Sequence, residues 1–188
     1  MPVKIHQTPL EGCFVIEPKV FTDSRGTFME VFHHKDFLEK TGLNINFVQD
    51  NQSTSHYGVL RGLHLQMGDA SQAKLVRVIK GEVIDAVVDL RIGSETYGQH
   101  FTICLSGENK KQLFIPRGFA HGFVSLAEKS IFAYKCDNYY NPSAESGIRY
   151  NDATLQIDWH LPNDELIVSE KDRVLPSFKE FKTWQKKY

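Results

Sequence analysis

The stretch GVLRGLHLQ, residues 58–66, sets Arg61 and His64 inside an otherwise apolar run. Val59, Leu60, Leu63 and Leu65 read as a buried strand, where an unpaired imidazole or a cation is costly to bury. Histidine titrates near neutrality, so His64 could serve as a general base. Arginine suits a phosphate or carboxylate, so Arg61 could answer the charge of an anionic ligand. A lone histidine in such a run is more often a core residue bonded to the backbone. A second candidate segment is IPRGFAHGF, residues 115–123, which carries Pro116, Gly118 and His121 in the order Pro-x-Gly-x-x-His. Lys74 in AKLVRVI and Tyr134 in FAYKC are further titratable groups set among apolar neighbours.

The elements that must position them are mostly strands. CFVIEPKVF, QHFTICLS, KQLFIP, GFAHGFVSL and SIFAYKCDNYY follow one another at short spacing, with Gly, Asn, Pro or Ser between them. KLVRVIKGEVIDAVVDLR predicts two strands joined as a hairpin at Lys80-Gly81. Helical pattern is confined to HKDFLEKTG, ending at Gly42, and to short pieces around Pro176 near the C-terminal end. Such spacing predicts an all-β sandwich or barrel. Alternation sets Lys74, Val76 and Val78 on one face, and Phe132, Tyr134 and Cys136 on another. Read alone, Tyr134 is an ordinary barrel aromatic, and Ser169-x-x-Asp172 a helix N-terminal cap. Strict alternation would send Arg61 and His64 to opposite faces. Gly62 between them could host a bulge that redirects one of them.

Composition bounds the function. The 188 residues predict one domain, 1–188, and the net charge of -1 without a long basic run argues against nucleic-acid binding. The lysines of FKTWQKKY read as a solvated helix or tail. Cys13, Cys104 and Cys136 lack metal or redox spacing and read as small core residues in a reducing compartment. MPVKIHQTPLEG lacks a signal-peptide core, and no apolar run approaches a membrane span. A cytoplasmic protein without a membrane partner is expected.

The Pro116-Gly118-His121 pattern resembles the second half of the cupin signature, carried on double-stranded jelly-roll barrels. Metal-binding cupins have a His-x-His pair and a downstream Glu in the first half, where this chain reads His64-Leu65-Gln66. Two histidines are too few for a divalent ion, so no metal is expected.

A closer resemblance covers about Glu17 to Arg173. EPKVFTDSRGTFMEVF, FVQDNQSTS, GVLRGLHLQ, QAKLVRVIKGEVIDAVVDLR, SGENKKQLFIPRGFAHGF, YKCDNYYNP and SEKDR together resemble, in order, the dTDP-4-dehydrorhamnose 3,5-epimerase family. The resemblance implies a jelly roll with a few short peripheral helices, working as a homodimer without a cofactor. It implies inversion of C3 and C5 of a 4-keto-6-deoxyhexose on a nucleoside diphosphate. Both carbons flank the C4 ketone, so the reaction needs a base, an acid across the ring, and a cation at the enolate oxygen.

On that resemblance His64 matches the base, Asp172 the acid that orients it, Tyr134 the proton donor and Lys74 the group near the enolate oxygen. Arg61 matches a diphosphate ligand whose charge offsets a buried guanidinium. His121 matches a residue that touches substrate or supports the base. Arg25, Phe21 and Glu30 match residues that reach the nucleotide across the dimer. Gln49 and Asn51 match groups near sugar and nucleotide, and Tyr140 a tyrosine of the sugar pocket. Leu65 stands where the family usually has an aromatic. The full set favours double epimerisation over a single-carbon epimerase, a ketoisomerase, a metal-dependent cupin oxygenase or a non-catalytic sugar-nucleotide-binding cupin.

Overall fold

A computed structural model describes residues 3–185. Two sheets form the body. The first runs β1 (Lys4–Gln7), β2 (Phe14–Glu17), β10 (Gln112–Ile115), β7 (Lys74–Lys80), β12 (Lys129–Cys136) and β5 (Gln49–His56). The second runs β13 (Glu145–Gly147), β6 (Val59–Gln66), β11 (Phe119–Ser125), β8 (Glu82–Asp89) and β9 (His100–Ser106). The short β14 (Ile167–Val168) adds in parallel to β6. A separate exposed hairpin is made by β3 (Val20–Asp23) and β4 (Gly26–Met29). This is the expected all-β, cupin-like jelly roll. The helices are α1 (His34–Thr41), α2 (Glu170–Arg173) and α3 (Phe178–Gln185), all short. None of the described helices is long and apolar enough to cross a membrane.

Alternation sorts the side chains into three apolar clusters. Val76, Val78, Val83, Val87, Phe123 and Phe132 fill the barrel between the sheets. Burying each such side chain fully contributes about 1.5–3 kcal/mol. Leu60, Leu63 and Leu65 turn the other way, under Ile148, Trp159 and Phe181 of the C-terminal segment. Phe14, Phe114 and Leu75 cover the outside of the first sheet with Phe37 of α1. Gly42 ends α1 in the left-handed conformation at φ 73°, as its position after the last turn predicts.

Several expectations are corrected. Strands β7 and β8 do not pair as a hairpin; β7 lies between β10 and β12, and β8 between β11 and β9. Gly81 instead turns the chain from one sheet to the other at φ 82°, with the Lys129 carbonyl too close for a side chain. CFVIEPKVF is two strands, because the chain leaves the first sheet at Glu17 and re-forms strand in the separate hairpin from Val20. Cys13 and Cys136 are buried, but Cys104 is only partly so. All three cysteines are unpaired. The final segment is not simply solvated: Phe181 of α3 is 1% exposed, while Lys186 and Lys187 lie outside the described residues.

Candidate active site

Between the sheets lies a cavity of about 510 Å³, within the range of small-molecule sites. Arg61, His64, Lys74, His121, Tyr134 and Asp172 all line it, against Phe123 and Phe132. The second sheet supplies His64 from β6 and His121 from β11. The first supplies Lys74 from β7 and Tyr134 from β12. His64 and Tyr134 therefore enter from opposite walls.

The local path of β6 explains how Arg61 and His64 reach one cavity. His121 stands opposite His64 and Phe123 opposite Arg61, so Gly62 and Leu63 together face Gly122 alone. That two-against-one register is a β-bulge. It shifts alternation by one, so Leu60, Leu63 and Leu65 point outward while Arg61 and His64 both face the cavity. Gly62 has φ 127°, and a Cβ there would meet the Gly122 Cα at 2.5 Å and the His121 carbonyl at 2.8 Å. Only glycine fits this close approach. Arg61 itself is exposed, correcting the expectation of a buried cation. Its Nε donates to Ser55 Oγ at 3.1 Å, which aims the guanidinium along the cavity mouth.

Asp172 is 4% exposed and ties α2 to β6. Its Oδ1 lies 2.7 Å from His64 Nε2, and its Oδ2 accepts the Gly62 N–H at 3.1 Å. Its own N–H donates to Ser169 Oγ, the cap of α2. The capping and histidine-binding readings of SEKDR are thus both true, one through the backbone and one through the carboxylate. Burial opposes ionisation of Asp172, but the His64 contact and the Gly62 N–H outweigh it and hold the pKa below its ordinary value. An ionised carboxylate only accepts, so Nε2 carries the hydrogen and Nδ1 is left as the basic nitrogen of a neutral His64.

On the facing wall, burial pushes the Tyr134 phenol pKa up and the Lys74 ammonium pKa down. His121 Nε2 lies 2.8 Å from Asp85 Oδ2, with both residues buried. Such a cavity sets a histidine on one wall against a phenol and a lysine on the other, with an arginine at its rim.

Other predicted residues stand around this centre or apart from it. Tyr140 donates its hydroxyl to Glu145 at 2.6 Å, and Lys171, on the cavity wall, donates to the same carboxylate oxygen at 2.6 Å. Gln49 accepts the Tyr140 N–H, and Asn51 donates to Cys136 Sγ at 3.8 Å beside Lys74. Phe21 and Arg25 lie on the β3–β4 hairpin, away from this cavity; Arg25 pairs with Asp23 at 2.6 Å. Glu30 follows the hairpin, its carboxylate grouped with His33 and Asp36 within 4.8 Å. Three residues of this centre lie outside the sequence expectations: Lys171, whose only signal is its place next to Asp172, and Glu145 and Asp85, which carry no local pattern.

Comparison with known proteins gives the family. Residues 7–180 match the family model for dTDP-4-dehydrorhamnose 3,5-epimerase. A dTDP-4-dehydrorhamnose 3,5-epimerase from Methanothermobacter thermautotrophicus is 52% identical over 168 residues, 89% of this chain and 90% of the relative. The crystal structure of one from Elizabethkingia anophelis superposes with a TM-score of 0.92 at 54% identity, covering 95% of this chain and 97% of that one. A dTDP-6-deoxy-D-glucose-3,5-epimerase from Legionella pneumophila, solved in complex with dTDP-4-keto-L-rhamnose, gives 0.91 at 47% identity, covering 95% and 94%. Motif order, barrel and identity over nine-tenths of the chain lead to one assignment: this chain belongs to the dTDP-4-dehydrorhamnose 3,5-epimerase family.

Proposed function

We propose that the protein converts dTDP-4-dehydro-6-deoxy-D-glucose to dTDP-4-dehydro-L-rhamnose by moving protons at C3 and C5. The observation that carries this reading is the His64–Asp172 pair on one cavity wall, with Tyr134 on the other. His64 Nδ1 takes the C–H proton next to the C4 ketone, and the electron pair passes onto the C4 oxygen as an enolate. Asp172 stabilises the imidazolium that forms. Lys74 offsets the charge on the enolate oxygen, and the Tyr134 phenol returns a proton to the opposite face of the carbon. Solvent then restores both side chains.

Arg61 and Lys171 suit the diphosphate because they bring cations to the cavity rim. His121 touches the sugar, with Tyr140, Gln49 and Asn51 around it. The reaction as written uses no cofactor and no metal. Residues 1–188 act as one domain, and two copies form a homodimer in which Phe21, Arg25 and Glu30 reach the partner's nucleotide. Supporting the dimer, the β3–β4 hairpin leaves Phe21 40% and Phe28 63% exposed, more apolar ring than a free surface hairpin needs. The enzyme works in the cytoplasm, where its unpaired cysteines stay reduced.

The test is incubation of the wild-type protein with dTDP-4-keto-6-deoxyglucose in deuterated water, followed by NMR. Deuterium at both C3 and C5 with inversion at each is expected. Label at one carbon would make it a single-carbon epimerase, a moved carbonyl a ketoisomerase, and tight binding without exchange a non-catalytic cupin.

A further inference from the structure

The barrel holds a second histidine–carboxylate pair that the proton transfers above leave unused. Asp85 on β8 is 0% exposed and His121 on β11 is 8% exposed, and their Oδ2 and Nε2 atoms lie 2.8 Å apart. The other carboxylate oxygen, Asp85 Oδ1, is buried with no hydrogen-bond partner. A buried carboxylate with an empty oxygen is costly unless cations near it offset the charge. Protonated, Lys74 would be such a cation. It lines the same cavity, and among the described residues its amino group makes no hydrogen bond or ion pair.

We propose that Asp85 is a positioning residue for the epimerisation: its buried carboxylate, anchored to His121, is the counter-charge that keeps Lys74 a cation beside the developing enolate oxygen. The inference rests on the epimerase reading for that last step. The groups that face Lys74 leave few alternatives. From β12 come Tyr134 and Cys136, from β11 His121, from β6 His64 and Arg61, from β13 Glu145, and from β8 Asp85, which alternates with the inward Val83 and Val87 as Lys74 does with Val76 and Val78. Burial pushes the Cys136 thiol up to about 11, so at neutral pH it is uncharged. Glu145 is already bonded to Lys171 and Tyr140. Asp172 is taken up by His64 and Gly62. Of the carboxylates that act on Lys74 among the described residues, Asp85 remains. Burial pushes Asp85 up and Lys74 down, and the charge of each opposes the other's shift.

A purely structural Asp85 and a counter-charge Asp85 predict different results for Asp85→Asn. Loss of the charge lets Lys74 lose its proton sooner. The alkaline limb of kcat should then move to lower pH by about one unit or more. At pH 8–9 kcat should fall about 10-fold, with KM for the nucleotide sugar within about 3-fold of wild type. A folded Asp85→Asn variant whose alkaline limb stays at the wild-type pH overturns the proposal. Should that variant not fold, wild-type protein labelled with 13C at lysine Cε decides the matter, with the Lys74 signal assigned from Lys74→Arg. An ammonium at pH 7 is expected, and a neutral amine at pH 7 overturns the proposal. Absence of deuterium exchange by the wild type would instead sink the epimerase reading, while the lysine titration, which needs no substrate, still judges the counter-charge.

Discussion

Asp172 holds His64 and the bulge at Gly62 with one carboxylate: Oδ1 lies 2.7 Å from His64 Nε2 and Oδ2 accepts the Gly62 N–H at 3.1 Å. The group that orients His64 thus also pins the backbone irregularity that brings His64 into the cavity. In Asp172→Asn the amide has one oxygen for two donors. If that oxygen keeps the Gly62 N–H, the amide NH₂ faces His64 Nε2 and drives the hydrogen onto Nδ1, the nitrogen that should act as base. Steady-state kinetics should show kcat reduced roughly 10²- to 10⁴-fold with nucleotide affinity kept. Wild-type kcat in the folded variant would mean the carboxylate is only a structural tie.

Gly62→Ala tests the bulge itself. An added Cβ would sit 2.5 Å from the Gly122 Cα, so the backbone has to shift or the strand lose its register. We expect thermal or denaturant unfolding to show a loss on the order of 2 kcal/mol or more, with activity falling together with the His64 geometry. An alanine variant of native stability and native kcat would show that the bulge tolerates a side chain and does not set the position of the base.

Tyr134→Phe should separate proton removal from proton return. His64 enters from the β6 wall and Tyr134 from the β12 wall, so losing the phenol leaves abstraction intact. Substrate hydrogen should still wash out into deuterated water while inversion drops on the order of 10²- to 10⁴-fold. If inversion keeps its wild-type rate, water or Tyr140 is the acid.

The shared-site claim has its own test by complementation. Arg25 and His64 belong to one chain but, in the dimer we propose, to different active sites. Arg25→Ala and His64→Asn homodimers should each be impaired, and mixing subunits of the two should restore activity to one site in each heterodimer. Mixtures no more active than the better parent would place Arg25 outside the partner's site.

How far the sequence could be read depended on whether the signal was local. Gly42, the gap at Pro176 and the Ser169 cap were visible because each is decided by a few neighbouring residues. Strand β5 carries QDNQSTSH, which lacks the β-branched and aromatic pattern of a strand. It forms because it pairs along its whole length with β12, and its inward side is polar because it borders the cavity end of the barrel. The hairpin expected of β7 and β8 fails for the same reason: the turn at Gly81 is local, but the sheets it joins are not. Gly62 hinted at a bulge, yet only the register with β11 shows that Arg61 and His64 share a face. Asp85 read as one polar letter in an apolar strand, since its partner His121 is 36 residues away.

The most direct measurement of the account is C–H exchange by His64→Asn. Folded protein should bind thymidine diphosphate with near wild-type affinity and lose deuterium exchange at both C3 and C5, by on the order of 10³-fold or more. Exchange near the wild-type rate at either carbon would contradict His64 as the base.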